Sequence, residues 1–241
     1  MQNHFSLEIA VDTIEAAAAA QRAGADRVEL CEELTVGGLT PDLALLRGVK
    51  RLLQIPIFVM IRPRVGDFVY SASEFEDMQD SISAAKNVGA HGIVLGILTP
   101  DHGVDIKRTS DLVALAKPLP ATFHRAFDHA DVLPQALEDI VQSGATRILT
   151  SGAAATALEG SRTIAQLILA AGQRVKIVPG AGINPENILQ VAAATRASEF
   201  HSGLSSALPY PRTDYSAFEE AIRKLVAGLD SLARSSTQDS Q

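Results

Sequence analysis

Several features are scarce in this sequence, and each absence excludes a class of protein. Its 241 residues include one cysteine, Cys31, so no intrachain disulfide can form and nothing indicates an oxidising compartment. No stretch approaches the roughly 20 consecutive apolar residues of a membrane span. The first ten residues lack the basic and apolar regions of a secretory signal. We therefore expect a cytoplasmic protein that does not associate with membranes.

Positive charge is also scarce, since Lys and Arg number 21 against 28 Asp and Glu, a net charge of −7. Without a basic stripe to neutralise phosphates, general nucleic-acid binding is not expected. A small anionic ligand remains compatible with this balance, because a few arginines can dominate a pocket. No lysine falls at the C-terminal end of a predicted strand, which argues against Schiff-base chemistry. H-E-x-x-H and C-x-x-C motifs are absent as well.

What is present is a repeating pattern. "AGADRVEL" begins at residue 23, "VGAHGIVL" at 88 and "SGATRILT" at 143, each with small residues that can end a helix before an apolar run suited to a strand. Runs of this kind predict eight strands, at 5–10, 27–31, 57–62, 92–97, 121–124, 147–151, 175–179 and 197–201. Their starts lie 22 to 35 residues apart, the length of one strand, one helix and two short loops.

The intervening segments have helix start signals. Thr40 precedes Pro41, and Ser73 stands three residues before Glu76 with the spacing of a capping box. Eight such units predict a single α/β domain, a (β/α)8 or TIM barrel, over residues 1–229. The main alternative is an open doubly wound sheet, but no G-x-G-x-x-G follows the first strand. Residues 230–241 are polar and are predicted to form a flexible tail.

A barrel places its chemistry at the C-terminal ends of the strands, where ionisable residues concentrate in this sequence. A buried unpaired charge costs several kcal/mol, so we expect the carboxylates to be neutralised by Arg62 and Arg125 around a cavity. Structural ion pairs are the alternative. The residues predicted to be catalytic are Glu8, Glu29, Arg62, His124, Asp128 and His201. Arg64, Arg125 and Glu199 are predicted to bind ligand beside them.

Small residues follow the last three strands, where barrels often hold phosphate on backbone N–H groups. These candidates for ligand binding are Ser151, Gly152, Gly180, Gly182, Ser202 and Gly203. The alternative is that the glycines only make tight turns, which requires no ligand.

Two kinds of metal site can be assembled from these residues. A hard cation could be held by oxygen and nitrogen ligands drawn from Glu8, Glu29, His124, Asp128 and His201, although they form no compact motif. Copper(I) prefers sulfur and imidazole, and the sequence offers Cys31, with Met60 in the third strand. A lone cysteine in a barrel is equally well explained as a small buried hydrophobe.

Six motifs, each at a strand end, resemble the CutC family in order along the chain to about residue 210: "RVELCEELTVGGLTP" (27–41), "MIRPRVGDFVYS" (60–71), "TFHRAFD" (122–128), "RILTSG" (147–152), "PGAGIN" (179–184) and "EFHSG" (199–203). The resemblance implies a cytoplasmic, self-associating (β/α)8 barrel with a role in copper handling. It also implies copper(I) binding through cysteine, for which this chain offers Cys31. The family usually has glycine where this chain has Val65 and Ala153.

Two hypotheses of different class follow. The first is a copper homeostasis protein that binds copper(I). The second is an enzyme that uses acid–base chemistry on a small anionic, phosphorylated or carbohydrate-like substrate, and the charged residues at the barrel mouth suit it better than they suit a metal carrier. In both, the partner is a small molecule or a metal ion, and the protein is a homo-oligomer.

Overall fold

A computed structural model describes residues 5–204, 207–208 and 213–238. Within them, eight parallel strands alternate with eight α-helices, which confirms the (β/α)8 barrel and excludes the doubly wound sheet. The strands are Ser6–Val11 (β1), Arg27–Leu30 (β2), Ile57–Met60 (β3), Gly92–Leu95 (β4), Ala121–Phe123 (β5), Arg147–Thr150 (β6), Lys176–Pro179 (β7) and Glu199–Ser202 (β8). The helices are Ile14–Arg22 (α1), Leu43–Leu52 (α2), Ala72–Val88 (α3), Ile106–Ala116 (α4), Leu133–Ser143 (α5), Ser161–Ala171 (α6), Ile188–Thr195 (α7) and Ser216–Gln238 (α8).

The strands form one parallel ladder in the order β7-β6-β5-β4-β3-β2-β1-β8. β7 and β8 lie side by side and complete the ring. Each strand begins and ends within two residues of its predicted bounds, because every apolar run is bracketed by loop residues.

The two faces of the barrel wall differ in chemistry. Outward-facing residues of β1, such as Leu7 and Ile9, belong to one continuous apolar cluster with the helices. α1 contributes buried alanines including Ala16 and Ala20, whose small side chains let the helix pack close to the sheet. Alternate residues point into the barrel, where Glu8 is among the buried charged side chains. The site is therefore built on the inner face.

Two predicted helix caps are wrong by two residues. α2 is capped by Asp42, not Thr40, and α3 is capped by Ser71, which forms a capping box with Glu74 rather than the predicted pair two residues on. Thr40 instead accepts a hydrogen bond from the backbone N–H of Arg62 at 2.8 Å and helps to position it.

The C-terminal helix passes the predicted domain boundary. α8 continues through residues 230–238, so the chain does not leave the helix at residue 229. Residues 239–241 of the predicted tail lie outside the described residues, and the division into barrel and tail stays a prediction. In the part of the chain that the structure describes, no helix combines the length and the apolar character that crossing a bilayer requires.

Candidate functional site

A cavity of about 590 Å³ opens at the C-terminal ends of the strands, where the sequence predicts the site. That volume lies in the range of small-ligand pockets. Seven predicted site residues line it: Glu29, Arg62, His124, Arg125, Gly182, His201 and Gly203. Their roles stay predictions, but their convergence on one cavity fits the geometric expectation.

One part of the mouth, which we call the acidic side, consists of Glu8, Glu29 and His201 from the neighbouring strands β1, β2 and β8. Glu8 is 2% exposed. Its Oε2 accepts from Nε of Arg27 at 2.5 Å, and its Oε1 lies 2.8 Å from Nδ1 of His201. Burial alone would raise the pKa of Glu8, but Arg27 and His201 outweigh it and hold the pKa at about 2. Glu8 is therefore a carboxylate at any working pH.

The ionised Glu8 fixes the orientation of His201. Since the carboxylate can only accept, Nδ1 of His201 donates to it, and Nε2 remains for other partners. Burial would lower the pKa of His201, but the charges of Glu29 and Glu8 outweigh it and raise the pKa. A carboxylate that orients a histidine in this way is a common arrangement in acid–base sites.

Glu29 differs from Glu8 although the two are equally buried. It is 3% exposed, and its Oε2 has no hydrogen-bond partner among the described residues. Burial raises the pKa of Glu29 to about 7, against the attraction of His201. Near neutral pH the carboxyl group can therefore both donate and accept a proton, and it faces the cavity.

These three residues could also hold a metal ion, since one ligand atom of each lies within 4.8 Å of the others. They are three of the five predicted for a hard cation, whereas His124 and Asp128 are not in this group. Because both oxygens of Glu8 already have partners, the geometry suits orientation of His201 better than metal coordination.

The acidic side is neutralised through a chain of ion pairs inside the barrel. Arg27 also donates to Glu199 at 2.8 Å, and Glu199 accepts from Arg147 at 2.9 Å. Both guanidinium groups stack on Phe58, 5.1 Å from its ring centre. The expectation that Arg62 and Arg125 neutralise the mid-strand carboxylates is therefore wrong for Glu8 and Glu199, which pair with Arg27 and Arg147. Glu29 has no ion pair among the described residues. Glu199 is part of this scaffold and does not line the cavity.

The second part of the mouth, which we call the basic side, consists of Arg62 after β3 and His124 after β5. Arg62 is 7% exposed. Its Nη1 donates to the carbonyls of Val36 and Gly38, at 2.9 and 3.2 Å, whereas its Nε has no partner among the described residues.

His124 is held as a neutral imidazole. Its Nδ1 accepts from the N–H of Ala126 at 3.1 Å, so Nε2 carries the proton, and that atom has no partner among the described residues. Burial and the charge of Arg62 lower the pKa of His124 to about 3. Gly96 makes room for the ring, because a Cβ there would lie 2.5 Å from Cε1 and Nδ1 of His124.

Asp128 does not line the cavity but holds the loop after β6. It accepts from the backbone N–H groups of Ser151 and Ala153 and from the hydroxyl of Thr150, and it pairs with Arg125 at 2.9 Å. Ala153 has φ +56°, a backbone conformation that glycine adopts more readily than alanine. Asp128 therefore positions the loop and Arg125, and its catalytic role stays a prediction.

Other predicted ligand-binding residues also lie off the cavity wall. Arg64 pairs with Asp67 and Glu74 on the rim. The hydroxyl of Ser202 donates to the carbonyl of Ile183 at 2.6 Å. Ser151, Gly152 and Gly180 lie behind the lining residues, where Gly180 packs against Leu149. Phosphate binding by these loops stays a prediction.

Cys31 is fully buried and does not line the cavity. It packs with Met60, Phe58 and Val94 in a small apolar cluster inside the barrel. Burial and the charge of Glu29 raise the pKa of the thiol, so it is protonated at neutral pH. Gly38 lies over this pair, since a Cβ there would be 3.1 Å from Sγ of Cys31 and 3.4 Å from Cε of Met60.

Four residues that support the site were not predicted from the sequence: Arg27, Arg147, Phe68 and Gly96. A signal was available for Arg27, which stands two residues before Glu29 and therefore points to the same face of β2. Phe68 lies in a loop, and its contacts with Arg62 and His124 follow from tertiary structure alone.

Comparisons with known proteins agree on one family. The sequence model of the CutC family matches residues 5–206. The chain is 43% identical to a CutC protein of Chromobacterium violaceum over 239 residues, 98% of this chain and 94% of that one. It is 46% identical to the human "Copper homeostasis protein cutC homolog" over 204 residues, 85% and 75% of the two chains. The crystal structure of a CutC protein from Streptococcus agalactiae superimposes with a TM-score of 0.78 at 31% identity, covering 82% of this chain and 98% of that one.

Proposed function

Because this chain belongs to the CutC family, we propose that it acts in copper handling and binds copper(I) at Cys31. The name of its human relative supports the role. The observation that carries the binding site is the packing of Cys31 and Met60 in one buried cluster. A thiolate and a thioether are ligand types that copper(I) prefers.

The residues fit copper(I) in type, but the buried position sets conditions on binding. The ion must displace the thiol proton, whose pKa is raised, so affinity should increase with pH. The segment around Gly38 must also move, because it covers both sulfur-bearing side chains. Slow uptake and pH-dependent affinity are therefore expected.

Anaerobic titration against a competing copper(I) chelator tests this proposal. Cys31→Ser should weaken binding by about 100-fold or more, and Met60→Leu by about 10-fold. Met78→Leu is the matched control, because Met78 is equally buried but packs between the sheet and the helices. Equal affinities for wild type and Cys31→Ser would refute the site.

A second candidate function is favoured by a different observation, the unpartnered carboxyl of Glu29 beside the Glu8–His201 pair. In this function the barrel is an enzyme, and Glu29 and His201 transfer protons to and from a small anionic substrate. A carboxyl with a pKa of about 7 is well matched to proton transfer near neutral pH.

The test is a turnover screen with small hydroxy acids and sugar phosphates, followed by pH profiles. For a substrate that turns over, the rate should change around pH 7, and Glu29→Gln should reduce it by about 100-fold or more. Arg174→Gln serves as the control, because Arg174 pairs with Glu138 and does not line the cavity. An unchanged rate in Glu29→Gln would exclude this function.

Two further predictions from the resemblance belong to the proposal. Self-association is tested by sedimentation velocity, in which a single species of monomer mass would refute it. The cytoplasmic location is tested by fractionating cells that express the full chain.

A further inference from the structure

We propose that the basic side of the mouth is a carboxylate-binding subsite, and that the cavity takes a small hydroxycarboxylic acid. The carboxylate accepts from Arg62 and His124, and a hydroxyl group of the ligand bonds with Glu29. The inference names a substrate class for the acid–base function, on which it rests for the role of Glu29. It is independent of copper binding.

The charge of Arg62 is the first argument. Arg62 is only 7% exposed, yet no carboxylate of the described residues forms an ion pair with its guanidinium within 4.0 Å. Its neighbours are the carbonyls of Val36 and Gly38, which offset only part of a full charge. By contrast, Arg27 pairs with two carboxylates inside the same barrel. A buried cation without a counter-ion is costly, so an anion is expected beside Arg62.

The free donors are the second argument. Nε of Arg62 and Nε2 of His124 both carry a proton, neither can accept, and neither has a partner among the described residues. Phe68 contacts both side chains, with its ring 5.1 Å from the guanidinium carbon and 5.0 Å from the imidazole centre. Both residues line the cavity, and Arg62 is close enough to His124 to lower its pKa. Their two free N–H groups lie just below the cavity surface, and two donors match the two oxygens of one carboxylate.

Charge favours a carboxylate over a phosphate. Arg62 supplies one uncompensated positive charge, which a monoanion matches, whereas a phosphate dianion would also face the ionised Glu8 behind His201. Its two Nη groups are engaged with backbone carbonyls, so Arg62 offers Nε alone, and with Nε2 of His124 the subsite has two donors for the two oxygens of a carboxylate. The hydroxyl of Ser202 at the end of β8 is committed to Ile183 and is not available to a third oxygen.

The acidic side defines the rest of the ligand. The cavity of about 590 Å³ is much larger than a carboxylate group needs. Glu29 lines the same cavity with an unpartnered oxygen, which bonds best with a neutral group that can both donate and accept. A hydroxyl group meets that requirement and leaves the net charge of the ligand at −1.

Calorimetric titration of the purified chain at pH 6.5 tests the inference with three probes. Glycerate carries a carboxylate and two hydroxyls, propionate is its counterpart without hydroxyls, and orthophosphate is the competing anion. We expect wild type to bind glycerate about 10-fold more tightly than either of the others. Arg62→Gln should weaken glycerate binding by about 10-fold or more, as should His124→Gln, which leaves the guanidinium in place. Arg174→Gln is the arginine control and should bind glycerate like wild type, since Arg174 pairs with Glu138 and does not line the cavity.

The outcomes separate the two halves of the inference. A reduced preference for glycerate over propionate in Glu29→Gln supports the hydroxyl contact, and an unchanged preference refutes it. Tighter binding of orthophosphate than of glycerate, no binding of any probe, or wild-type affinity in both His124→Gln and folded Arg62→Gln would refute the carboxylate subsite. Because affinity is measured without turnover, glycerate binding with no detectable reaction would count against the acid–base function alone.

Discussion

The histidines of the acidic and basic sides of the barrel mouth are both buried, but their pKa values shift in opposite directions. The pKa of His201 is raised because Glu29 and Glu8 face it. The pKa of His124 falls to about 3 because it is buried beside Arg62. Burial acts to lower the pKa of both histidines, and the neighbouring charges decide whether the net shift is downward or upward.

The two sides also differ in how their charge is compensated. On the acidic side, Glu8 is linked through Arg27 and Glu199 to Arg147, so the protein neutralises itself. On the basic side, the described hydrogen-bond partners of Arg62 are backbone carbonyls, and its guanidinium lies over the ring of Phe68. The charge of Glu8 is thus compensated within the chain, whereas Glu29 has no ion pair among the described residues and Arg62 retains an unmatched charge.

Removing Arg27, the buried counter-ion of the acidic side, should have the largest effect on stability. Arg27→Met leaves the buried carboxylates of Glu8 and Glu199 without the guanidinium that both contact. We expect the free energy of unfolding to fall by about 3–5 kcal/mol, measured by urea denaturation at pH 7.

The control for this change is a surface pair of the same type. Arg174 and Glu138 are each about half exposed, so Arg174→Met should destabilise the protein far less than Arg27→Met. Equal losses in the two variants would show that the acidic side does not depend on its buried counter-ion.

Stability should depend on pH in opposite directions for the two sides of the mouth. Glu29 has a folded pKa of about 7 against an ordinary value of 4.5, so its contribution is complete below pH 4.5 and is lost as pH rises through 7. His201, with its raised pKa, acts in the same direction. His124 has a folded pKa of about 3 against 6.5, so its contribution is complete above pH 6.5 and is lost as pH falls towards 3.

Urea denaturation of matched variants at pH 5 and pH 8 separates these contributions. Relative to wild type, Glu29→Gln should gain on the order of 2–3 kcal/mol between pH 5 and pH 8. His124→Gln should change in the opposite direction over the same interval. A pH-independent difference for both variants would contradict the assigned protonation states.

The fold and the position of the site follow from local sequence. Eight apolar runs at regular spacing predict the barrel, and the barrel predicts that chemistry gathers where the strands end. Glu29, Arg62, His124 and His201 could be placed on one cavity for this reason. The alternation of side chains along each predicted strand was sufficient for this prediction, because it directs all four side chains to the inner face of the barrel.

The partners of these residues depend on tertiary distances that a pattern does not contain. Asp128 follows β5 as His124 does, and Glu199 opens β8 two residues before His201, yet both form ion pairs and neither lines the cavity. The cap of α3 shows the same limit, since Ser71–Glu74 and Ser73–Glu76 have identical spacing. Burial of Met78 and Ile82 against the sheet fixes which pair begins the helix.

A smaller effect is expected when the unmatched charge of the basic side is removed. Arg62→Met deprives the carbonyls of Val36 and Gly38 of a donor, at a cost of about 1–3 kcal/mol. It also removes a buried cation that has no carboxylate partner among the described residues, which offsets part of this cost. We expect a net loss of about 1 kcal/mol in urea denaturation at pH 7. A loss as large as that of Arg27→Met would contradict the difference between the two sides.

The smallest expected effect is a difference in the protonation of His124 and His201, which can be measured without any change in stability. Nitrogen-15 NMR of the imidazole rings should show His124 as the neutral Nε2–H tautomer down to about pH 4, since its pKa is about 3. His201 should titrate at a higher pH than an ordinary imidazole, because its pKa is raised by Glu29 and Glu8. His201→Asn and His124→Asn assign the two signals, and Glu29→Gln should lower the pKa of His201 while that of His124 stays as it is. Two rings that titrate together near pH 6.5 would mean that neighbouring charges do not distinguish the sides of the mouth.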